Sequence, residues 1–290
     1  MDKERQGALI ALLSGILIGA NTVAGTVIAK QADAFLLLSA SLLASIPFLF
    51  LISFFTKEKL SLKEILSEKK SFFGTLLFRI LIGSSLLIAG FSLASGTNAV
   101  ILLRLEPALV LALGLILFRE RISARKAALF FVSLAAAIMV ATGGNFSLQS
   151  INLGDIAIVA SLIFFAFSYF TAKKAMEKTS ALNLAFFLNL FGGIIFVVPA
   201  AFFSFSSGAA IALPDSALFA FFVLSFYVFG FWLYNLALKK TAAWIVAVLL
   251  SVQVVSGLLL AVFWLGETIS AVQAAGAILL TISSAMIVKK

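Results

Sequence analysis

The chain has no cysteine and no histidine, four prolines in 290 residues, and charged side chains at only 11% of positions. Without cysteine there is no disulfide framework, and without histidine as well the usual zinc and haem ligand sets are lacking, so no cofactor is expected. A Ser–His dyad cannot be built. Asp33, Asp155 and Asp215 fall at connections between apolar stretches, so an aspartate pair inside one is also missing, and an enzyme is not expected. No Gly-x-x-x-x-Gly-Lys-Ser/Thr loop occurs, which excludes ATP hydrolysis by this chain.

What is present in excess is apolar. The chain is 63% hydrophobic with a mean hydropathy of +1.19. An ordinary soluble domain carries about 25% charged residues. The net charge of +9 raises the question of nucleic acid. The basic residues are scattered through short loops with no continuous stripe, so no nucleic acid is expected, and anionic lipid headgroups are the simpler partner.

Ten apolar stretches are each near the ~20 residues that cross a bilayer. They cover roughly 6–29, 34–55, 72–95, 98–118, 124–143, 153–172, 182–205, 216–238, 243–265 and 271–288. Each is read as a helix, because lipid offers no partner to an open strand and the alternation of a membrane barrel is absent. Lys3, Arg5 and Ala32-Asp33-Ala34 resemble parts of a signal peptide. The apolar stretch between them is longer than an h-region of roughly 7–15 residues, so it reads as an uncleaved first span.

Of the 21 Lys and Arg, 18 lie in alternate connections or at the termini. Only Lys30 falls in an opposite connection, and Arg79 and Arg104 lie inside spans. Basic residues stay on the cytoplasmic side, so both termini are expected there. The largest basic loop, 56–71, is expected to be either an interfacial helix carrying Leu60, Leu62, Ile65 and Leu66 or a plain linker.

Glu120-Arg121-Ile122-Ser123 is echoed by Glu267-Thr268-Ile269-Ser270 at an offset of 147. The same offset relates Gly7 to Gly154, Ser14 to Ser161 and Gly83 to Gly230. A duplication into 1–147 and 148–290 follows, with five spans per half. Five is odd, so the second copy enters from the opposite face. The expected fold is all-α: a polytopic membrane protein of ten transmembrane helices in two inverted five-helix repeats, with a site near the midplane between them.

The run Asn98–Pro107, then Phe118-Arg119-Glu120-Arg121-Ile122-Ser123, and Trp264-Leu265-Gly266-Glu267-Thr268-Ile269-Ser270 with Gln273 and Gly276 resemble the drug/metabolite transporter superfamily, EamA type. The resemblance covers nearly the whole chain. It implies a prokaryotic cytoplasmic-membrane protein that moves small organic metabolites by alternating access. Its central cavity would be lined mainly by helices 1, 3, 4, 6, 8 and 9. Amino acids or related compounds are the first expectation; a sugar-phosphate or nucleotide-sugar carrier and a lipid-precursor flippase are the alternatives. One departure is Val254 where the first half has Pro107, so the ninth helix is expected to be straighter than the fourth.

Arg79, Arg104 and Glu106 are the charges well inside spans. Each costs about 2.5–3.5 kcal/mol at a helix centre, and such residues mark pathways. Arg104 and Glu106 are two residues apart, so they point in different directions and are poor mutual partners. Arg79 lies ~10 Å into the third span and Glu106 ~12 Å from the outer end of the fourth, close enough for Arg79 to reach across that hairpin. Arg104 is expected to attract a substrate carboxylate, and Glu106 to take an ammonium group or a proton. Pro107 frees the carbonyl of Leu103 or is a passive kink.

Ser251 and Gln253 are the repeat equivalents of Arg104 and Glu106, and Asn21 and Ser168 are equivalents of each other. These four, with Tyr169 and Tyr234, complete the candidate substrate site. Asn98 is read as a helix cap before a mouth residue. Trp244, with the aromatic residues around Tyr227–Tyr234, is read as part of an interfacial belt. Gly15 and Gly19 form a Gly-x-x-x-Gly pair, read as close packing inside one molecule before a dimer contact. A homodimer stays open as a partner state, beside substrate and lipid.

Overall fold

The computed structural model describes residues 2–28, 33–94, 96–120, 122–145, 151–207, 216–266 and 268–288. Lys30, Arg121 and Glu267 lie outside the described residues. Among those described there are helices and no strand. Nine helices are long and apolar enough to cross a bilayer: Lys3–Gly25, Ala34–Thr56, Lys69–Leu93, Ala124–Thr142, Leu153–Ala175, Ala181–Phe203, Ser216–Lys240, Ala243–Trp264 and Ala271–Val288. The fourth expected span is not among them. Its chain is helical in two pieces, Gly96–Leu102 and Glu106–Ile116, joined by a 3-10 turn at Leu103–Leu105.

Helix ends follow local chemistry. The Asp33 carboxylate accepts from the backbone N–H groups of Phe35 and Leu36. Asn152 and Asp155 form a capping box at the start of the sixth span. Ser123 and Ser270, the serines of the two Glu-x-x-Ser turns, accept from the N–H groups of Lys126 and Gln273 at the start of the last span of each half. Gly143 and Gly266 end the preceding helices with φ of +62° and +71°, a region that favours glycine.

The spans pair across the halves. The second packs on the seventh and the fifth on the tenth. The first contacts the eighth and ninth, and the sixth contacts the third and fourth. Shifted by the repeat offset, this pattern maps onto itself, as a two-fold relation requires. Large apolar side chains face outward, among them Phe54, Phe55, Ile116, Val198 and Phe263. In water such a surface would be an association site; in lipid it is the solvated face.

Polar contacts gather the basic connections at one end. Lys126 of the fourth connection pairs with Glu4 at the N-terminus at 2.9 Å. Lys178 of the sixth pairs with Glu68 of the second at 2.8 Å. Lys240 of the eighth donates to Gln6 at 2.7 Å. Within the second connection a short helix, Leu62–Ser67, does form. Ile65 is buried in the core while Leu62 and Leu66 are exposed. Asn183 pins this loop, exchanging hydrogen bonds with the Ser61 N–H and carbonyl at 2.9 and 3.0 Å.

Candidate substrate site

Two departures from α-helical geometry build the site, and both recur at the repeat offset. The first is the break in the fourth span. Pro107 stands in the first turn of the piece Glu106–Ile116, where its missing N–H costs nothing, and the chain tightens to 3-10 geometry just before it. The ninth span was expected to be straighter, because Val254 replaces the proline. It is broken at the matching place, between Ala243–Leu250 and Gln253–Leu265. There the N–H groups of Val252 and Val254 bond three residues back, to Leu249 and Ser251. Proline is therefore dispensable for the break. Packing accompanies it: a Cβ on Gly15 would stand 3.2 Å from the Leu250 carbonyl oxygen, and Gly19 lies against the backbone of Gln253 and Gly257. This glycine pair is used inside the molecule, as read from the sequence.

The second departure is a widened, π-helical stretch. It covers Leu76–Gly83 in the third span and Val223–Gly230 in the eighth. Each closes with a bond five residues back, from Ser84 N–H to the Arg79 carbonyl and from Phe231 N–H to the Phe226 carbonyl. Each ends on a glycine for one reason. A Cβ on Gly83 would meet the Phe78 carbonyl at 2.6 Å, and one on Gly230 the Ser225 carbonyl at 2.7 Å. Widened turns of this kind are frequent at functional positions.

Arg79 lies inside the first π-helical stretch. Its guanidinium does not reach back to the basic end of the bundle. It donates to the Ser168 hydroxyl at 3.4 Å and the Tyr234 hydroxyl at 3.3 Å. Its central carbon stands 4.4 Å from the ring centre of Tyr234, 5.4 Å from Phe231 and 5.7 Å from Phe165. Such aromatic faces attract a cation. Tyr169 meets Tyr234 edge-on at 5.2 Å and lies near Glu106. The charges of Arg79 and Arg104 both act on Glu106.

The structure thus gathers Arg79, Ser168, Tyr169, Tyr234 and Glu106, with Arg104 in electrostatic reach. The sequence placed Arg79 within reach of Glu106; among the described residues the ion pairs within 4.0 Å involve neither. The aromatic box holds the guanidinium instead. Arg104 and Glu106 sit at the 3-10 turn Leu103–Leu105, near enough for their charges to act on each other. Ser251 and Gln253 mark the equivalent break of the ninth span, with Ser251 buried. Asn21 is not part of the cluster. It donates to the Phe222 carbonyl at 2.7 Å, at the mouth of the second π-helical stretch, and Ser14 donates to the Gly230 carbonyl at its end at 2.8 Å.

Two expectations are corrected. Trp244 is not in an interfacial belt: it is 2% exposed and packs edge-on against Phe130. Asn98 is buried and donates to Asp155 of the sixth span at 2.9 Å, which ties two spans together. Sequence reasoning missed Phe165. Its position three and four residues before Ser168 and Tyr169, on one helical face, is the signal that pointed to it.

Comparison with known proteins bears on what this site serves. A profile described as the EamA-like transporter family matches residues 5–142 and again 152–289. An uncharacterized transporter of Bacillus subtilis (strain 168), YetK, is 28% identical over 272 residues, spanning 89% of this chain and 79% of the relative. A crystal structure of a protein superposes with a TM-score of 0.79 over 98% of both chains at 15% identity, which shows the fold alone.

Proposed function

The chain belongs to the EamA-like transporter family and is an integral membrane transporter, and on that footing we propose that it moves small zwitterionic metabolites, amino acids or related compounds first, by alternating access between the halves 1–147 and 148–290. One observation carries the substrate class. The Arg79 guanidinium sits among hydroxyls and aromatic faces with no carboxylate within 4.0 Å among the described residues. A charge inside a span costs about 2.5–3.5 kcal/mol. A substrate carboxylate offsets that cost by pairing with the planar fork of donors. Glu106, reached through Tyr169, takes the ammonium end or a coupling proton. The rings of Phe165, Phe231 and Tyr234 suit an apolar side chain between the two charged ends.

The paired breaks and paired π-helical stretches support two halves that move as units. Each half carries both departures from α-helical geometry at equivalent positions, as discontinuous helices do in inverted-repeat transporters. The clustering of basic connections at one end supports a cytoplasmic location for both termini in a prokaryotic membrane.

The test is counterflow of radiolabelled amino acids into proteoliposomes holding unlabelled substrate. Wild type exchanges label, Arg79→Ala does not, and Glu106→Gln loses any acceleration by a proton gradient. Exchange that Arg79→Ala leaves intact would remove Arg79 from the substrate path.

A further inference from the structure

A pocket of about 530 Å³ opens at the lysine-rich end of the bundle, and it shares no lining residue with the Arg79 cluster. Four lysines line it, Lys126, Lys173, Lys239 and Lys240, against a single carboxylate, Glu4. All four are held in place by neighbours, Lys239 by the Thr179 carbonyl at 2.6 Å. Lys126 pairs with Glu4 at 2.9 Å, Lys173 donates to the Thr241 carbonyl at 2.9 Å, and Lys240 donates to Gln6. Lys173 also faces Glu120 at 3.9 Å.

The floor of the pocket is the start of the ninth span. Its cap position is Ala242, which has no side-chain oxygen of its own to offer the first turn. Glu120 accepts from the Ala243 N–H at 3.4 Å. The next two residues, Trp244 and Ile245, line the pocket. The N–H groups of this turn carry the positive end of the helix dipole, and the Glu120 carboxylate meets the first of them. A second observation points the same way. Thr241 lines the pocket, is 5% exposed, and its hydroxyl has no hydrogen-bond partner. A buried hydroxyl left unpaired costs about 1–3 kcal/mol, which a ligand oxygen would relieve.

We propose that this pocket binds a phosphate-type anion, from the headgroup of an anionic phospholipid or from a soluble phosphate. The helix start and the Thr241 hydroxyl meet its oxygens, and the lysines balance its charge. Glu4 competes for Lys126, so its removal strengthens binding.

Thermal melting of the full chain in neutral detergent tests this with inorganic phosphate, dihexanoyl phosphatidylglycerol and, as a zwitterionic control, dihexanoyl phosphatidylcholine. Stabilisation by a binding ligand follows mass action. A rise with phosphate and phosphatidylglycerol supports the shared chemistry. A rise with phosphatidylglycerol alone assigns a lipid headgroup, and a rise with phosphate alone assigns a soluble anion. Ala242→Asp places a carboxylate cap on the helix start; its own melting temperature holds or rises, and the ligand response disappears. Glu4→Gln binds about three times more tightly than wild type, because Lys126 is freed. No rise with either anion, an equal rise with phosphatidylcholine, a response that survives Ala242→Asp, or no tightening in Glu4→Gln overturns the proposal. If Ala242→Asp does not fold, Thr241→Val replaces it, with a tenfold weaker response expected.

Discussion

Arg79 and Tyr234 touch in two ways at once: the guanidinium donates to the phenol hydroxyl at 3.3 Å and lies 4.4 Å from the centre of the same ring. The third and eighth spans, which are repeat equivalents, are thereby joined through a charge on one and an aromatic face on the other. Arg79→Lys keeps the charge but loses the planar guanidinium that lies among the rings of Phe165, Phe231 and Tyr234, one nitrogen of which donates to both Ser168 and Tyr234. Exchange in proteoliposomes is expected to fall at least tenfold, with the variant still eluting as folded protein. Wild-type exchange by Arg79→Lys would mean that a point charge suffices.

Gly19→Ala is expected to destabilise strongly. A Cβ there is directed at the backbone of Gln253 and Gly257, which cannot rotate away. Overpacking of this sort costs about 1–3 kcal/mol or more. Gly257→Ala is the control, because its nearest neighbour is 3.5 Å away. Melting in detergent should separate the two variants clearly, and equal melting temperatures would contradict the packing described.

The two π-helical stretches predict matched sensitivities. Gly83→Ala and Gly230→Ala each set a methyl group against the carbonyl five residues back. Gly83→Ala also meets the Phe165 ring, whose face lies beside Arg79. Both should lower the melting temperature, and Gly83→Ala should lower substrate affinity as well. A Gly83→Ala variant with native affinity would separate the π-helical stretch from the site.

Glu68 and Lys178 give a pH expectation outside the membrane. The hydrogen bond from Lys178 holds the Glu68 carboxyl below its ordinary value, and Glu68 holds the Lys178 ammonium above its own. The lowered carboxyl contributes stability above the unfolded carboxylate range and loses it as pH falls through the folded value. The raised ammonium contributes below the unfolded lysine value and loses it as pH rises through the folded one. The contact therefore spans neutral pH. The native pair's effect on melting should weaken in molar salt, since Lys178 is exposed and Glu68 is only partly buried.

Asn183→Ala should free the second connection. Asn183 is fully buried and bonds Ser61 twice and Thr179 once at 2.6 Å. Leaving the Ser61 groups unpaired costs about 1–3 kcal/mol. Faster proteolysis between Lys57 and Lys70 is the expected readout, and an unchanged rate would show that the short helix holds the loop alone.

Most span boundaries were legible because lipid imposes a length and a composition that few other environments impose. Lys and Arg placement was legible for the same reason, and Ser123 and Ser270 capped where their turns placed them. The break at Ser251–Val252 was not legible. The sequence signal for a break is proline, and there the geometry sits where Gly15 and Gly19 of a distant span close on the backbone. Trp244 misled for a related reason: indole near a span end suits an interface, yet Phe130 and neighbouring spans enclose it.

By itself the sequence determined that this chain lives in a bilayer, which ends are basic, and that one half repeats the other, because hydropathy, charge transfer cost and residue identity are local properties. Only the tertiary structure decided that Arg79 is held by Tyr234, Phe231 and Phe165 rather than by Glu106, and that both halves carry a π-helical stretch and a broken helix. Those outcomes depend on which carbonyls and ring faces distant spans present to one another, and that is set by packing between helices rather than by any window along the chain.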